Sequence, residues 1–208
     1  NRYKIPNFQR DFSWENNNFD DFFEDLLQFY KESYSQNRNE KYFFGTILLI
    51  GDESTPNVDM PYEVVDGQQR LTTMTLFFAS ICEIIHEYNK EYELEFPERL
   101  YFNSIRLGKS SKIERLVNNS LDPILPVEIL NLNNIKDDGA EVNPSTAEQI
   151  WLLEAYEYIK NLLRKSNISE EKIDDEQYIE ILEELGNVLS NSTMICIYHN
   201  NIEEANAL

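Results

Sequence analysis

The sequence predicts an α+β domain, a small mixed sheet that carries a polar motif, with a mainly α-helical insertion or subdomain. Three observations predict it. Tyr42–Ile50 and Tyr62–Val65 are short apolar runs rich in β-branched and aromatic residues, as buried strands are. From Leu71 the apolar period becomes helical, with Leu71, Met74, Phe78, Ile81, Cys82 and Ile85 on one face. Amphipathic helical patterns then fill residues 145–189, before strand character returns at Thr193–Tyr198. The division that follows is a motif-bearing α/β core over residues 1–90, a helical insertion or subdomain over 91–190, and a strand and helix start over 191–208 that return to the core and are truncated there.

Taken in order, residues 1–14 combine Pro6 with the alternation Ile5, Phe8, Phe12, which predicts an extended stretch or edge strand entering a turn. Gln9 and Arg10 are the polar pair within it, and Trp14 is expected to anchor it by packing. Phe19 to about Tyr34 reads as an amphipathic helix, because Phe19, Phe22, Phe23, Leu26, Leu27 and Tyr30 recur at helical spacing. Ser35–Lys41 is a polar loop. Gly45 inside the strand Tyr42–Ile50 marks a bulge or a close approach of another backbone. Gly51–Pro61 reads as a hairpin-like connection, so the strands Tyr42–Ile50 and Tyr62–Val65 are expected to pair antiparallel. The helix after the motif runs to about Tyr88.

Residues 99–144 carry the weakest pattern. Leu100-Tyr101-Phe102 suggests a strand and Ser110–Asn118 a short helix. Arg99, Arg106, Lys109, Lys112 and Arg115 make this the densest basic stretch, read first as a solvated face and second as a DNA contact. Asn131–Asn143 is a polar, acidic loop. Ser145 with Glu148 has the spacing of a capping box, opening a helix to about Lys165. Gln177–Leu189 is a further helix, with Glu180, Glu183 and Glu184 as its solvated face. Asn200 or Asn201 caps a last helix start.

The chemistry concentrates where the Tyr62–Val65 strand ends. Asp66-Gly67 breaks the strand, since Gly tolerates backbone angles closed to other residues. Gln68, Gln69, Arg70, Thr72 and Thr73 follow as the helix begins. The free N–H groups of a helix's first turn attract anions. One carboxylate, two amides, a guanidinium and two hydroxyls in that place suit a phosphate with a metal ion beside it. The plainer account is a strand–turn–helix corner in which Asp66 or a Thr is only a cap. It leaves the two amides without a duty.

Val65-Asp66-Gly67-Gln68-Gln69-Arg70-Leu71-Thr72-Thr73 resembles the signature of the GmrSD-type restriction-endonuclease N-terminal domain, a ParB/sulfiredoxin-like family. Two flanking stretches agree in order. Ile5-Pro6-Asn7-Phe8-Gln9-Arg10-Asp11-Phe12-Ser13-Trp14 is similar to the family's opening IPxYQRxYxW segment, and Tyr42-Phe43-Phe44-Gly45-Thr46-Ile47 to its yFlGsi strand. Ile195–Leu208 more weakly resembles the strand and helix start that close the core. The resemblance implies a ParB/sulfiredoxin-like sheet and NTP use with Mg²⁺, in a regulatory domain that recognises modified DNA and acts with a separate HNH-type nuclease domain or subunit. Nothing in the chain resembles that nuclease, so it is not expected to cut DNA alone.

Carried over residue by residue, the resemblance implies that Asp66 holds the metal or orients water, and that Arg70 pairs with phosphate oxygens. Gln68 and Gln69 would then fix water, ribose or phosphate, while Gly67, Thr72 and Thr73 form the phosphate turn. Gln9 and Arg10 would face the same cleft. Phe8 stands where the family often has Tyr, which removes a hydroxyl. The chain also stops before the family's Asn-x-Arg-Gly segment. The alternative function is a switch module that binds nucleotide or DNA without turnover. A third, a protein–protein domain, fits the acidic surface.

Composition narrows the classes further. The chain has 208 residues, 41% of them hydrophobic, and a net charge of −20 from 18 basic and 38 acidic residues. Such a chain repels a nucleic-acid backbone unless its positive charges cluster, which argues against a general DNA clamp. Two histidines, His86 and His199, leave little basis for a zinc site or His-based catalysis. Cys82 and Cys196 sit in apolar segments and read as core thiols in a reducing cytoplasm. No apolar run approaches the roughly 20 residues of a membrane span. With no secretory signal visible and Asn1 as the first residue, the expectation is a cytoplasmic fragment.

Overall fold

A computed structural model of the chain describes residues 2–6, 9–34, 40–51, 61–92, 116–117 and 144–200. The expectations for residues 52–60, 99–115, 118–143 and 201–208 lie outside the described residues, including the basic stretch before Leu116. The rest is α+β, as the sequence predicts.

The elements follow in chain order. β1 is Tyr3–Lys4, α1 Asn16–Phe29 with a π-helical turn at Tyr30–Tyr34, β2 Phe43–Ile50, and β3 Tyr62–Asp66. Next come α2 (Gln68–Tyr92), β4 (Leu116–Val117), α3 (Ala147–Leu162), α4 (Lys165–Ile168), α5 (Asp175–Ser190) and β5 (Thr193–His199). One mixed sheet has the order β4-β1-β3-β2-β5. β2 and β3 pair antiparallel, with Leu49 opposite Val64, as their hairpin-like spacing predicts. β1 runs parallel to β3 and to β4, and β2 parallel to β5.

Three expectations change here. Leu116-Val117 is strand rather than part of a helix over Ser110–Asn118, because it adds a parallel rung beside Tyr3-Lys4 and buries Leu116. β1 is consequently an inner strand of the described sheet, not an edge. The start of α3 also differs. Thr146, not Ser145, is the N-cap, and its hydroxyl accepts the Gln149 N–H at 3.1 Å. The buried Gln149 reaches back instead, its Oε1 accepting the Ser145 N–H at 2.7 Å.

The alternation of β2 and β3 turns Ile47, Leu49 and Val64 into the core, all fully buried, while Phe43, Ile195 and Ile197 are exposed. α2 lies over the buried face with Leu76, Phe77 and Ile81 inward. The aromatic stripe of α1 packs there as expected. Phe22 meets Phe77 at 4.9 Å and Phe44 at 5.7 Å, both edge-on, the geometry that ring quadrupoles favour. α3 and α5 pack on α2, so their buried residues join the same core as the motif-bearing elements.

An acidic chain short of cations needs other partners for its carboxylates, and tyrosines supply them. Tyr42 donates to Asp25 at 2.6 Å, Tyr30 to Glu184 at 2.6 Å, Tyr158 to Asp20 at 2.7 Å and Tyr156 to Glu83 at 2.5 Å. Phenol–carboxylate bonds are short, charge-assisted links between elements. Glu184 is therefore tied to α1's end rather than wholly solvated. Burial, then the Glu83 charge, pushes the Tyr156 phenol well up. Burial followed by the Asp25 bond does the same for Tyr42. Lys160 adds an ion pair to Glu83 at 3.0 Å and locks α3 to α2.

Candidate functional site

The predicted turn is set by two glycines that no other residue could replace without strain. Gly67 has φ of +92°, and a Cβ there would lie 2.6 Å from Ile47 Cγ2. The chain must pass this close to β2 to leave the sheet and enter α2. Gly45 has φ of +110° at the register shift between β2 and β5, which is the predicted bulge. What approaches it is a side chain rather than a backbone. The Arg70 guanidinium lies across Gly45, 3.3 Å from where a Cβ would sit, and Nη1 donates to the Thr46 carbonyl at 2.9 Å. No ion pair joins Arg70 to Asp66 among the described residues.

The first backbone bond of α2 is Leu71 N–H to Gly67 O, at 3.1 Å. The N–H groups of Gln68, Gln69 and Arg70 precede it and have no acceptor within the helix. The residues that carry them line a cleft of about 240 Å³, together with Gln9, Arg10, Trp14, Val65, Asp66 and Gly67. The structure thus brings together, from two segments far apart in sequence, seven of the nine residues singled out above.

It gives the amides a definite duty. Gln68 Nε2 donates to Arg10 O at 2.8 Å, and Gln69 Nε2 to Asp11 O at 3.2 Å. Gln69 Oε1 accepts the Ser13 N–H at 2.9 Å. Gln9 Nε2 returns the grip on Val65 O at 3.2 Å. Both motif glutamines are buried, and they bind the Gln9–Trp14 segment to the turn as a strap. Arg10 and Asp66 remain exposed at the cleft. Two guanidinium groups and one carboxylate are thereby left among the charged groups lining the cleft.

Thr72 and Thr73 are not in the cleft. They are 1% and 0% exposed, because a further half turn of helix carries them from the cleft to the core. The Thr73 hydroxyl has no hydrogen-bond partner among the described residues. Sequence reasoning missed Val65 and the cleft-facing side of Trp14. Trp14 also packs as expected, its ring centred 5.9 Å from Phe19. It missed Glu148 and Trp151 as well, which hold the strap from α3 at Phe12 N–H and Trp14 O.

Among the described residues no group of three or more His, Cys, Asp or Glu could hold a metal ion by itself. Mg²⁺ needs less, binding through one or two carboxylates with phosphate oxygens and water. Asp66 is the one carboxylate among the residues lining the cleft, which is the least such an ion requires of the protein.

The architecture is an α+β domain in which a strand–Asp–Gly–helix corner and a strap enclose a cleft lined by two arginines and one aspartate. The family model for the GmrSD restriction endonuclease, N-terminal domain, matches residues 1–206, and the chain belongs to that family. It is accordingly a domain of a restriction, phage-defence system. No curated protein matches the chain. No helix among the described residues is long and apolar enough to cross a membrane.

Proposed function

We propose that the chain is a nucleotide-binding and NTP-hydrolysing regulatory domain of a modification-dependent DNA restriction system, acting with a separate HNH-type nuclease domain or subunit. One observation carries the reading. Arg10, Arg70, Asp66 and the free N–H groups of α2's first turn converge on one open cleft. Arg70 has one donor engaged at Thr46 O, which fixes the guanidinium plane while its other N–H groups remain for phosphate oxygens. Arg10, on the strap, supplies the second positive charge lining the cleft. The helix start adds dipole and N–H donors on the same side.

Asp66 would hold Mg²⁺ together with the phosphates, and the ion, when bound, neutralises their charge. A freely exposed carboxylate can also accept a bond from water near the terminal phosphate. Gln68 and Gln69 act through the strap, holding Arg10 against the turn. Modified DNA is the ligand of the assembled system. The net charge of −20 favours a focused contact, or one made by the partner, over broad binding to this domain.

A second reading, a switch that binds nucleotide without turnover, is favoured by the same amides. Once they hold the strap, Asp66 alone is left to orient water. The test is purified protein with Mg²⁺ and each common NTP. Phosphate release that disappears in Asp66→Asn, with unchanged melting, is expected. Binding without release selects the switch, and no binding of any NTP overturns both.

A further inference from the structure

Residues 10–14 have no regular secondary structure, so no sheet ladder sets where Arg10 points. Side chains hold the backbone instead, and they come from two elements. The motif glutamines grip Arg10 O, Asp11 O and Ser13 N–H. α3 takes the points between and beyond. Glu148 Oε1 accepts the Phe12 N–H at 3.0 Å, and Trp151 Nε1 donates to Trp14 O at 3.1 Å.

We propose that Glu148 and Trp151 are positioning residues for the cleft, through which α3 sets the register of the strap and with it the reach of Arg10. The inference rests on the phosphate reading of the cleft and adds a coupling between that site and the helical layer. Three features support it. Glu148 lies in the first turn of α3, where the helix dipole stabilises a carboxylate, so this acceptor is a fixed part of the helix end. The same helix is locked to α2 further along by Tyr156 and Lys160 on Glu83, so Glu148 and Trp151 hold the strap from a fixed frame. Phe12 is buried and stacks on Phe19 at 6.1 Å, which anchors the strap to the core independently of α3. Losing the α3 ties should therefore change the strap's register without unfolding it.

Coupling of this kind is reciprocal, so a ligand that engages Arg10 should in turn order the tie. The two tryptophans of the chain are Trp14 and Trp151, one at each end of one of these bonds, and their fluorescence reads the tie directly.

The experiment titrates the full chain with pyrophosphate, ATP and GTP in Mg²⁺, following tryptophan fluorescence and calorimetric affinity, with melting curves for every variant. Glu148→Ala removes the acceptor, Glu148→Gln keeps an oxygen in its place, and Trp151→Phe keeps a ring but loses the N–H. Glu148→Ala and Trp151→Phe should each weaken binding by about three- to tenfold, within the range for residues that act through a neighbour. Glu148→Gln should recover most of that affinity. In an Arg10→Ala background the Glu148→Ala effect should vanish, which a merely structural role would not produce.

A folded Glu148→Ala protein with wild-type affinity overturns the proposal, as does an equal loss in the Arg10→Ala background. If Glu148→Ala does not fold, Trp151→Phe decides by the same two criteria. Wild-type protein that binds none of the three probes overturns the phosphate reading itself, and this inference with it. Normal wild-type binding that falls in Arg10→Ala but not in the α3 variants overturns this inference alone.

Discussion

Replacing Gly67 by Ala adds one carbon at φ of +92°, 2.6 Å from Ile47 Cγ2, 3.2 Å from Ile47 Cβ and 3.3 Å from Ile47 Cα. A flexible side chain could turn aside, but Ile47 is β-branched and fully buried, and its Cα belongs to a strand paired on both sides. The methyl therefore meets a wall. Left-handed backbone costs an L-residue about 1–2 kcal/mol. Overpacking a rigid core adds about 1–3 kcal/mol. The expected loss is about 2–5 kcal/mol, which for a chain of this size lowers Tm by roughly 4–20 °C at about 2–4 °C per kcal/mol. Thermal and urea unfolding followed by circular dichroism measure it. Ile47→Ala alone should cost about 2–5 kcal/mol through the cavity it leaves. The double variant should cost less than the two together, by at least about 1 kcal/mol, because the new methyl occupies part of that space. A loss under about 1 kcal/mol for Gly67→Ala, or strict additivity, would refute the close contact as the reason for glycine.

Arg70→Lys should weaken nucleotide binding by about 1–2 kcal/mol and Arg70→Ala by more, since a charged, forked donor is lost. Both should also lower Tm slightly through the lost bond to Thr46 O, so calorimetric affinity has to be compared in protein that is still folded; unchanged affinity there rules out the phosphate role. Tyr42, Tyr156 and Tyr178 are pushed above the ordinary phenol value of 10.0, by burial first. The folded state keeps protons that the unfolded chain releases, so their contribution is present below about pH 10 and is lost as pH rises beyond it. Tyr42→Phe should lower stability at neutral pH yet flatten the decline of Tm above about pH 10, and parallel declines for the two proteins would contradict this. Ordinary duplex DNA should bind the chain weakly because of its −20 net charge. Tight binding that resists added salt in fluorescence anisotropy would show that a local basic patch outweighs that field.

Local periodicity made much of this domain legible from sequence. Strands β2, β3 and β5 and helices α1, α2 and α5 each repeat their apolar residues over a full element, and the pattern needs no knowledge of neighbours. Gly67 and Gly45 were legible as a turn and a bulge because glycine punctuates a strand by itself. The motif could be placed at a helix start for the same reason. Other features had no local signature. Leu116-Val117 is too short to show a period, and only Tyr3-Lys4 lying beside it makes it a strand.

The division of labour inside the motif was decided by tertiary structure. Asp66, Arg70, Gln68 and Thr73 are all polar residues within a few positions, and spacing treats them alike. Helix rotation buries Thr72 and Thr73, while the passage of the strap occupies Gln68 and Gln69. Glu148 and Trp151 enter the site's support from more than a hundred residues away. A polar side chain's role depends on which unpaired backbone group or solvent-filled space lies within about 3 Å of it. Sequence determines which groups a residue can offer, and only the folded chain determines what they meet.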